Sequence, residues 1–234
     1  VVDFDLQSLP EPAARLRRAL EAADYGFSTT GGQVLRNVAA GRHAYFIPNL
    51  IDVTMDDQIA YEGTHKEADI FFCSLRSSKG PQWRKAFELR DLAPDLRYAF
   101  YGMDRQNGLW GPNYMATMAR SCIGLNFNQS EGDLYASDRM AQYLGNGILL
   151  ATDRASGYQR YFDGDEMLFY SGLPELAERS RQVLADGTLW RTMARKGREK
   201  AMKVMSNALV SEFILRTTLS EPPPAGWIFS QYGD

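Results

Sequence analysis

The chain has few cysteines and histidines and no long apolar run, and each shortage argues against a class of protein. Its 234 residues include two cysteines and two histidines, without a CxxC or HExxH pattern, so the sequence offers no zinc signature. No apolar run approaches the ~18 residues that a membrane-spanning helix requires. The first residues, VVDFDLQSLPEP, lack the charged-then-apolar layout of a signal peptide. We therefore expect a cytoplasmic protein without a bound metal, in which Cys73 and Cys122 are buried free thiols.

The charge balance argues against a second class, the nucleic-acid-binding proteins. Lysine and arginine number 26 against 29 aspartate and glutamate residues, which gives a net charge of −3. A nucleic-acid footprint would require a strong basic excess. Hydrophobic residues make up 44% of the chain and charged residues 24%, which are ordinary values for a globular protein with a sizeable core. Single arginines and lysines remain available for a small anionic ligand.

Apolar runs of strand length alternate with helical patterns of about ten residues along most of the chain. We predict strands at 25–29, 44–47, 68–75, 96–101, 122–127, 147–152 and 167–170. We predict helices at 12–23, 33–40, 82–92, 114–120, 135–144, 174–184 and 189–205, with an irregular tail at the end of the chain. This alternation is typical of βαβ units, so the predicted fold class is α/β with a doubly wound parallel sheet.

Ligands of such sheets bind outside the carboxyl ends of the strands, so the loops that follow strands are the candidate segments. These are 75–84, 102–112, 128–139 and 152–157. In the first of them, Arg76, Lys79 and Gly80 follow a buried strand, and Arg84 lies in the first turn of the next helix. Two cations and a glycine there can meet a phosphate with charge and backbone amides. The alternative is an ordinary solvated basic loop, and no Walker motif is present.

The stretch from 126 to 153 passes from a strand through a polar loop into a helix, two glycines and another strand. Ser137 or Asp138 can cap the helix, and Arg139 follows in its first turn. A cation there opposes the helix dipole, which a diphosphate bound at the same helix N-terminus would explain. The alternative is that Arg139 pairs with Asp138 or Asp133. Gln142 lies one turn later on the same face, where it can reach a ribose hydroxyl pair or serve as an ordinary polar residue.

The order of residues from Arg139 onward resembles the C-terminal domain of GT-B glycosyltransferases, and within them the CgeB-like spore-protein group. In that group an arginine is followed three residues later by a glutamate, then by small residues, glycine and an apolar strand; here the stretch is RMAQYLGNGILLATD. Downstream, RYFDGDEMLFYSGLPELAERSRQVLADGTLWRTMARKGREKA resembles the closing turn, strand and two helices of the family. Upstream, YGFSTTGGQVLRNVAAGRHAYFIPNLID resembles the end of a GT-B N-terminal domain.

The resemblance implies a Rossmann-like domain that binds a nucleotide sugar, preceded by a remnant of the N-terminal domain. We expect residues 1–55 to form the end of that acceptor-side domain and the linker. Residues 56–220 are expected to form the nucleotide-sugar-binding domain, and residues 221–234 an irregular tail. A further domain or a second chain would then complete the acceptor side.

The implied function is transfer of a sugar from a nucleotide-sugar donor to an unidentified glycan, lipid or protein acceptor, without metal or cofactor. Basic residues and a helix N-terminus would stabilise the leaving diphosphate. The residues assigned to the diphosphate are Arg76, Lys79, Arg84, Ser137 and Arg139. Gln142 would bind the ribose, and the backbone at Gly102 and Met103 would meet the nucleobase edge. No general base or other catalytic residue is assigned.

The residue at position 142 differs from the family pattern, so two other functions remain alternatives. The family's ribose-binding glutamate is a glutamine here, and its second acidic position, eight residues earlier, falls on Leu134 beside Glu131 and Asp133. An uncharged Gln142 favours a non-catalytic module of the same fold that binds a nucleotide sugar or a protein partner. A nucleotide-sugar epimerase is a third possibility, because it shares this layout. A nicotinamide enzyme fits less well, since no GxGxxG motif follows a strand.

Overall fold

Two parallel sheets form the framework of the protein in a computed structural model, which describes residues 2–3, 10–128 and 134–233. The smaller sheet has the strand order β1–β2–β3, and both of its strand pairs are parallel. Its strands are β1 (Val2–Asp3), β2 (Gly26–Ser28) and β3 (Ala44–Phe46), and its helices are α1 (Pro10–Ala22) and α2 (Gly32–Ala39).

The larger sheet contains five parallel strands in the order β5–β4–β6–β7–β8. Its strands are β4 (Ala68–Cys73), β5 (Tyr98–Tyr101), β6 (Ser121–Leu125), β7 (Leu149–Asp153) and β8 (Leu168–Tyr170). The helices that follow are α3 (Pro81–Leu92), α4 (Gly111–Ala119), α5 (Asp138–Gly145), α6 (Leu173–Ala185), α7 (Leu189–Val204) and α8 (Asn207–Thr218). The predicted α/β class with a parallel sheet is confirmed.

The strand order reverses between β4 and β6, and this reversal determines where a ligand can bind. From β4 the chain first moves outward to β5, and it then returns to the other side of β4 to form β6. The connections therefore run in opposite directions from these two neighbours, and a crevice opens outside their carboxyl ends. The loops that border this crevice are those after β4 and β6.

The apolar run of β4 predicted a strand buried on both faces, and the structure confirms it. Phe71 packs into the core on one face of the sheet, where Tyr143 of α5 is a neighbour. Phe72 packs on the other face, against Trp83 of α3. Next to β4, Gly124 of β6 has no room for a side chain, because a Cβ there would lie 2.6 Å from the ring of Tyr143. This glycine lets α5 pack closely on the sheet.

The helix predicted from 135 begins at Asp138 instead, because the residues before it pair with the smaller sheet. Thr30 and Tyr135 form an antiparallel bridge. The N–H of Gly31 donates to the carbonyl of Leu134 at 2.8 Å, and the N–H of Ala136 donates to the carbonyl of Thr29 at 2.9 Å. The chain therefore enters α5 from a segment that is hydrogen-bonded to the end of β2.

The sequence predicts no element at α8, because the apolar residues of this segment do not keep to one face. Val210 and Phe213 are buried, whereas Leu215 is 58% exposed. The indole of Trp227 stacks on the ring of Phe213 at 3.8 Å between centroids, and Phe27 of the smaller sheet packs on the same ring edge-to-face. The irregular tail is thus anchored to α8 and to the smaller sheet.

Cys73 and Cys122 are both free and buried, which confirms that prediction. No helix within 10–128 or 134–233 combines the length and the apolar character that a bilayer crossing requires. The domain boundaries at 55/56 and 220/221 stay a prediction.

Candidate functional site

A cavity of about 430 Å³ opens at the carboxyl ends of the strands, on the side where the strand order reverses. One wall is the end of β4 with the loop that follows it, including Cys73 and Arg76. The opposite wall is Tyr135 with the first turns of α5. The third wall is the segment 109–111, which leads into α4. Three of the four predicted loop segments therefore meet at one cavity.

Arg139 reaches this cavity with its guanidinium anchored on the protein side. Its Nη2 donates to the carbonyl oxygen of Phe127 at 2.7 Å, and its guanidinium carbon lies 5.5 Å from the ring centroid of Phe72. Its Nε is buried and has no hydrogen-bond partner. A half-buried guanidinium with an unused donor is suited to an anion that brings its own acceptor oxygens.

The alternative role predicted for Arg139 is an ion pair with a nearby carboxylate, and the structure shows a contact with Asp138 through the backbone only. The carboxylate of Asp138 accepts from the backbone N–H of Arg139 at 2.9 Å, and no ion pair joins their side chains. Asp133, the other predicted partner, lies outside the described residues, as does Glu131 near the family's second acidic position. Pairing with Asp138 is therefore not what holds the guanidinium of Arg139.

Arg76 lies on the opposite wall, in a loop that Asp104 holds in place. The carbonyl of Arg76 accepts from the N–H of Asp104 at 3.0 Å, and the carboxylate of Asp104 accepts from the N–H of Ser78 at 2.8 Å. The hydrogen bonds from Ser78 lower the pKa of Asp104, and the nearby charge of Lys79 lowers it further. The loop after β4 is thus fixed to the loop after β5.

The other two predicted basic residues of this segment do not line the cavity. Lys79 is exposed, and its charge helps to lower the pKa of Asp104, which is also outside the cavity wall. Arg84 is exposed in the first turn of α3. The structure therefore brings Arg76 and Arg139 together and leaves Lys79 and Arg84 outside.

Ser137 caps α5, as predicted, and this role engages its hydroxyl. The residue is 1% exposed; its Oγ accepts from the N–H of Met140 at 3.2 Å and donates to Oδ1 of Asn126 at 2.6 Å. Ser137 is absent from the cavity wall. The geometry therefore gives Ser137 a structural role in place of the diphosphate contact expected from the sequence.

Gln142 lines the cavity together with Asp138 and Arg139. Gln142 follows Asp138 by four positions and Arg139 by three, so its side chain lies on the same face of α5 as theirs. The position expected to face a ribose therefore does reach the cavity. Leu134, at the family's second acidic position, is fully buried in the core.

Gly102 and Met103 stand apart from the cavity. Gly102 has a φ of +87°, and a Cβ there would lie 2.9 Å from the carbonyl oxygen of Ser74. This close approach packs the loop after β5 against the loop after β4. The part of the same segment that does line the cavity is Leu109, Trp110 and Gly111.

Trp110 is the largest side chain at the cavity mouth and was not singled out from the sequence. It is 62% exposed, and Gly108 packs beneath its indole, where a Cβ would lie 2.1 Å from the ring. Tyr114, one turn into α4, lies deeper in the wall, and burial raises the pKa of its hydroxyl well above the ordinary value. An exposed indole held on one face is suited to stacking with a planar ring.

Gln82 is another lining residue for which the sequence predicts no role. It is 4% exposed and lines the cavity beside Ser74. The Oγ of Ser74 donates to its Oε1 at 3.0 Å, and its Nε2 donates to the carbonyl of Phe127 at 2.7 Å. Its position at the start of a predicted helix carried no signal of burial.

Several solved structures share this architecture. HepE from Anabaena, solved in complex with UDP-glucose, superposes with a TM-score of 0.67 at 13% identity, covering 94% of this chain and 72% of HepE. Sucrose-phosphate synthase from Thermosynechococcus elongatus superposes with a TM-score of 0.60 at 15% identity, covering 92% of this chain and 62% of the synthase. A glycosyltransferase from Rickettsia africae superposes with a TM-score of 0.55 at 10% identity, covering 94% and 69%. At such identities the likeness shows the fold alone.

Comparison at the level of sequence identifies the family. No curated protein shows significant sequence similarity to this chain. The family model described as glycosyl transferase-like matches residues 73–215, which is more than half of the 234 residues and includes every cavity wall described above. The chain therefore belongs to the glycosyl transferase-like family, with the GT-B architecture.

Proposed function

We propose that the cavity binds a nucleotide-sugar donor through its diphosphate and that the protein transfers the sugar to an acceptor. The observation that carries this proposal is the guanidinium of Arg139, anchored on the Phe127 carbonyl with its buried Nε unpartnered. It lies at the N-terminal turn of α5, where the helix dipole also favours an anion. Arg76 adds a second positive charge from the opposite wall.

The arrangement of the walls suggests an orientation for the donor. The diphosphate would lie between Arg76 and Arg139, with the ribose near Gln142. We place the nucleobase against Leu109 and Trp110 and no longer at Gly102 and Met103, because the former line the cavity. A volume of about 430 Å³ falls in the range of small-molecule sites.

The proposed chemistry is metal-independent and uses no cofactor. The bond between the anomeric carbon and the diphosphate oxygen breaks, and its electron pair stays on that oxygen. The oxygen of an acceptor hydroxyl forms the new bond to the anomeric carbon, and its proton passes to water or to the departing diphosphate. Arg76 and Arg139 would stabilise the charge that develops on the diphosphate, which is the role that a metal ion has in other transferases.

UDP-sugars are the first donors to test, since HepE was solved with UDP and with UDP-glucose. The acceptor class, whether glycan, lipid or protein, and the CgeB-like subtype stay proposals that follow from the sequence. We also propose that a further domain or a second chain contributes to the acceptor side. Gln142, which reaches the cavity without a charge, supports a second candidate, a binding module without turnover.

Incubation with a panel of UDP-, GDP- and ADP-sugars separates these functions. The proposal expects free nucleoside diphosphate to accumulate from at least one donor, with no loss when EDTA is present. If a donor raises the melting temperature but is not turned over, the protein is a binding module and not a transferase. Interconversion of two sugars without an acceptor would indicate an epimerase.

A further inference from the structure

Gln82 joins the carboxyl ends of β4 and β6, the two strands that flank the crevice. Its amide accepts from Ser74 Oγ at 3.0 Å and donates to the Phe127 carbonyl at 2.7 Å. Ser74 is held a second time, because its own carbonyl accepts from the indole Nε1 of Trp83 at 3.2 Å. One buried side chain therefore crosslinks the two strand ends at the cavity.

The Phe127 carbonyl is also the anchor of Arg139. Nη2 of Arg139 and Nε2 of Gln82 both donate to this oxygen, each at 2.7 Å. A carbonyl oxygen has two lone pairs, so these two donors occupy both. The direction in which the carbonyl points is therefore fixed by Gln82 as well as by Arg139.

We propose that Gln82 is a positioning residue for donor binding, acting on the guanidinium of Arg139 through the Phe127 carbonyl. The inference rests on the proposed function, in which Arg139 contacts the diphosphate. Without the Gln82 amide, the 127–128 peptide can rotate, and the anchored guanidinium rotates with it. Charged contacts to phosphate need their geometry held within about 0.5 Å, so this rotation weakens donor binding.

A double-mutant cycle distinguishes this role from simple packing. Gln82→Met keeps the length of the side chain and removes both polar atoms. We expect it to weaken UDP binding about tenfold in the otherwise unchanged chain, and less than about twofold in an Arg139→Ala background, because coupled neighbours are not additive. Gln182→Met, at an exposed glutamine of α6, is the matched control and is expected to leave UDP affinity unchanged.

Equal losses in the two backgrounds would overturn the inference, since they would show that Gln82 acts independently of Arg139. If circular dichroism shows that Gln82→Met does not fold, Ser74→Ala releases the other end of the amide. That variant is expected to weaken UDP binding about threefold, again only when Arg139 is present. A wild-type protein that binds no nucleoside diphosphate would overturn the proposed function itself, and this result is obtained before any variant is made.

Discussion

Asn146 donates from Nδ2 to Oδ1 of Asp56 at 2.7 Å, and this bond ties the end of α5 to the segment that joins the two sheets. Asp56 is 6% exposed, and burial raises the pKa of its carboxyl. Its Oδ2 accepts from the N–H of Asp52 at 3.0 Å. At the other end of α5, the Ser137 hydroxyl donates to Asn126 at 2.6 Å. The helix that carries Arg139 is thus fixed at both ends.

The basic residues that line the cavity should differ in effect from those outside it. Arg76→Ala is expected to weaken UDP binding about fivefold, because a charge-assisted contact from a partly solvated side chain is lost. Lys79→Ala and Arg84→Ala are expected to change it by less than about twofold. Titrations at low and high salt measure this, and the Arg76 effect should shrink as salt rises. A larger loss for Lys79→Ala or Arg84→Ala than for Arg76→Ala would contradict the assigned walls.

Trp110 is expected to supply most of the apolar contact with the donor. Trp110→Ala should weaken UDP binding about tenfold, the loss typical of a stacked base, whereas Trp110→Phe should retain most of the affinity. Tryptophan fluorescence is a second measurement of the same contact. UDP should change the emission of the wild type and leave that of Trp110→Phe nearly unchanged. If Trp110→Ala binds UDP with full affinity, the nucleobase does not stack on Trp110.

Gly124 tests the packing that brings α5 close to the sheet. Gly124→Ala would place a Cβ 2.6 Å from the Tyr143 ring, and we expect overpacking to lower the free energy of unfolding by about 1–3 kcal/mol. Urea unfolding measures the change. Gly164→Ala is the control, since a Cβ there meets nothing within 4 Å. Similar stability for the two variants would contradict the packing described here.

Asp69 gives a prediction for pH dependence. Burial alone would raise the pKa of its carboxyl, but hydrogen bonds and charge from Arg97 outweigh burial and lower it below the ordinary 3.8. A lowered folded-state pKa contributes stability that is complete above the unfolded pKa and is lost as the pH falls through the folded one. Asp69→Asn should therefore cost about 1 kcal/mol at pH 7, since Arg97 is half exposed, and almost nothing near pH 2. A cost that stays constant over this range in urea unfolding would contradict the ion pair.

The parallel α/β fold could be predicted because apolar runs of strand length alternate with helical patterns of about ten residues along most of the chain. The same reasoning brought Arg76 and Arg139 to one place, since carboxyl ends of parallel strands meet at one edge of a sheet. The sequence could not show that Arg76 lines the cavity and Lys79 does not. The turn between them is held by a hydrogen bond from the N–H of Ser78 to Asp104, a residue of another loop.

The places of Gln82 and Trp110 in the cavity wall could not be predicted from the sequence, for physical reasons. Gln82 follows a proline at the start of a helix, and its burial depends on the ends of two strands far away in sequence. Trp110 ends a loop in which Asp104, Arg105 and Asn107 all have positive φ values. Aspartate and asparagine adopt such values more often than other residues, but three of them within four positions do not follow from residue type alone. The missing information in both cases is tertiary contact and not local propensity.

The central claim is that Arg139 binds the diphosphate of the donor. Calorimetric titration of UDP into the wild type, Arg139→Ala and the surface control Arg216→Ala tests it most directly. We predict that Arg139→Ala weakens binding by at least about 1.5 kcal/mol, as expected for a hydrogen bond to a charged group, while Arg216→Ala matches the wild type. Equal affinity in the wild type and Arg139→Ala would contradict the account.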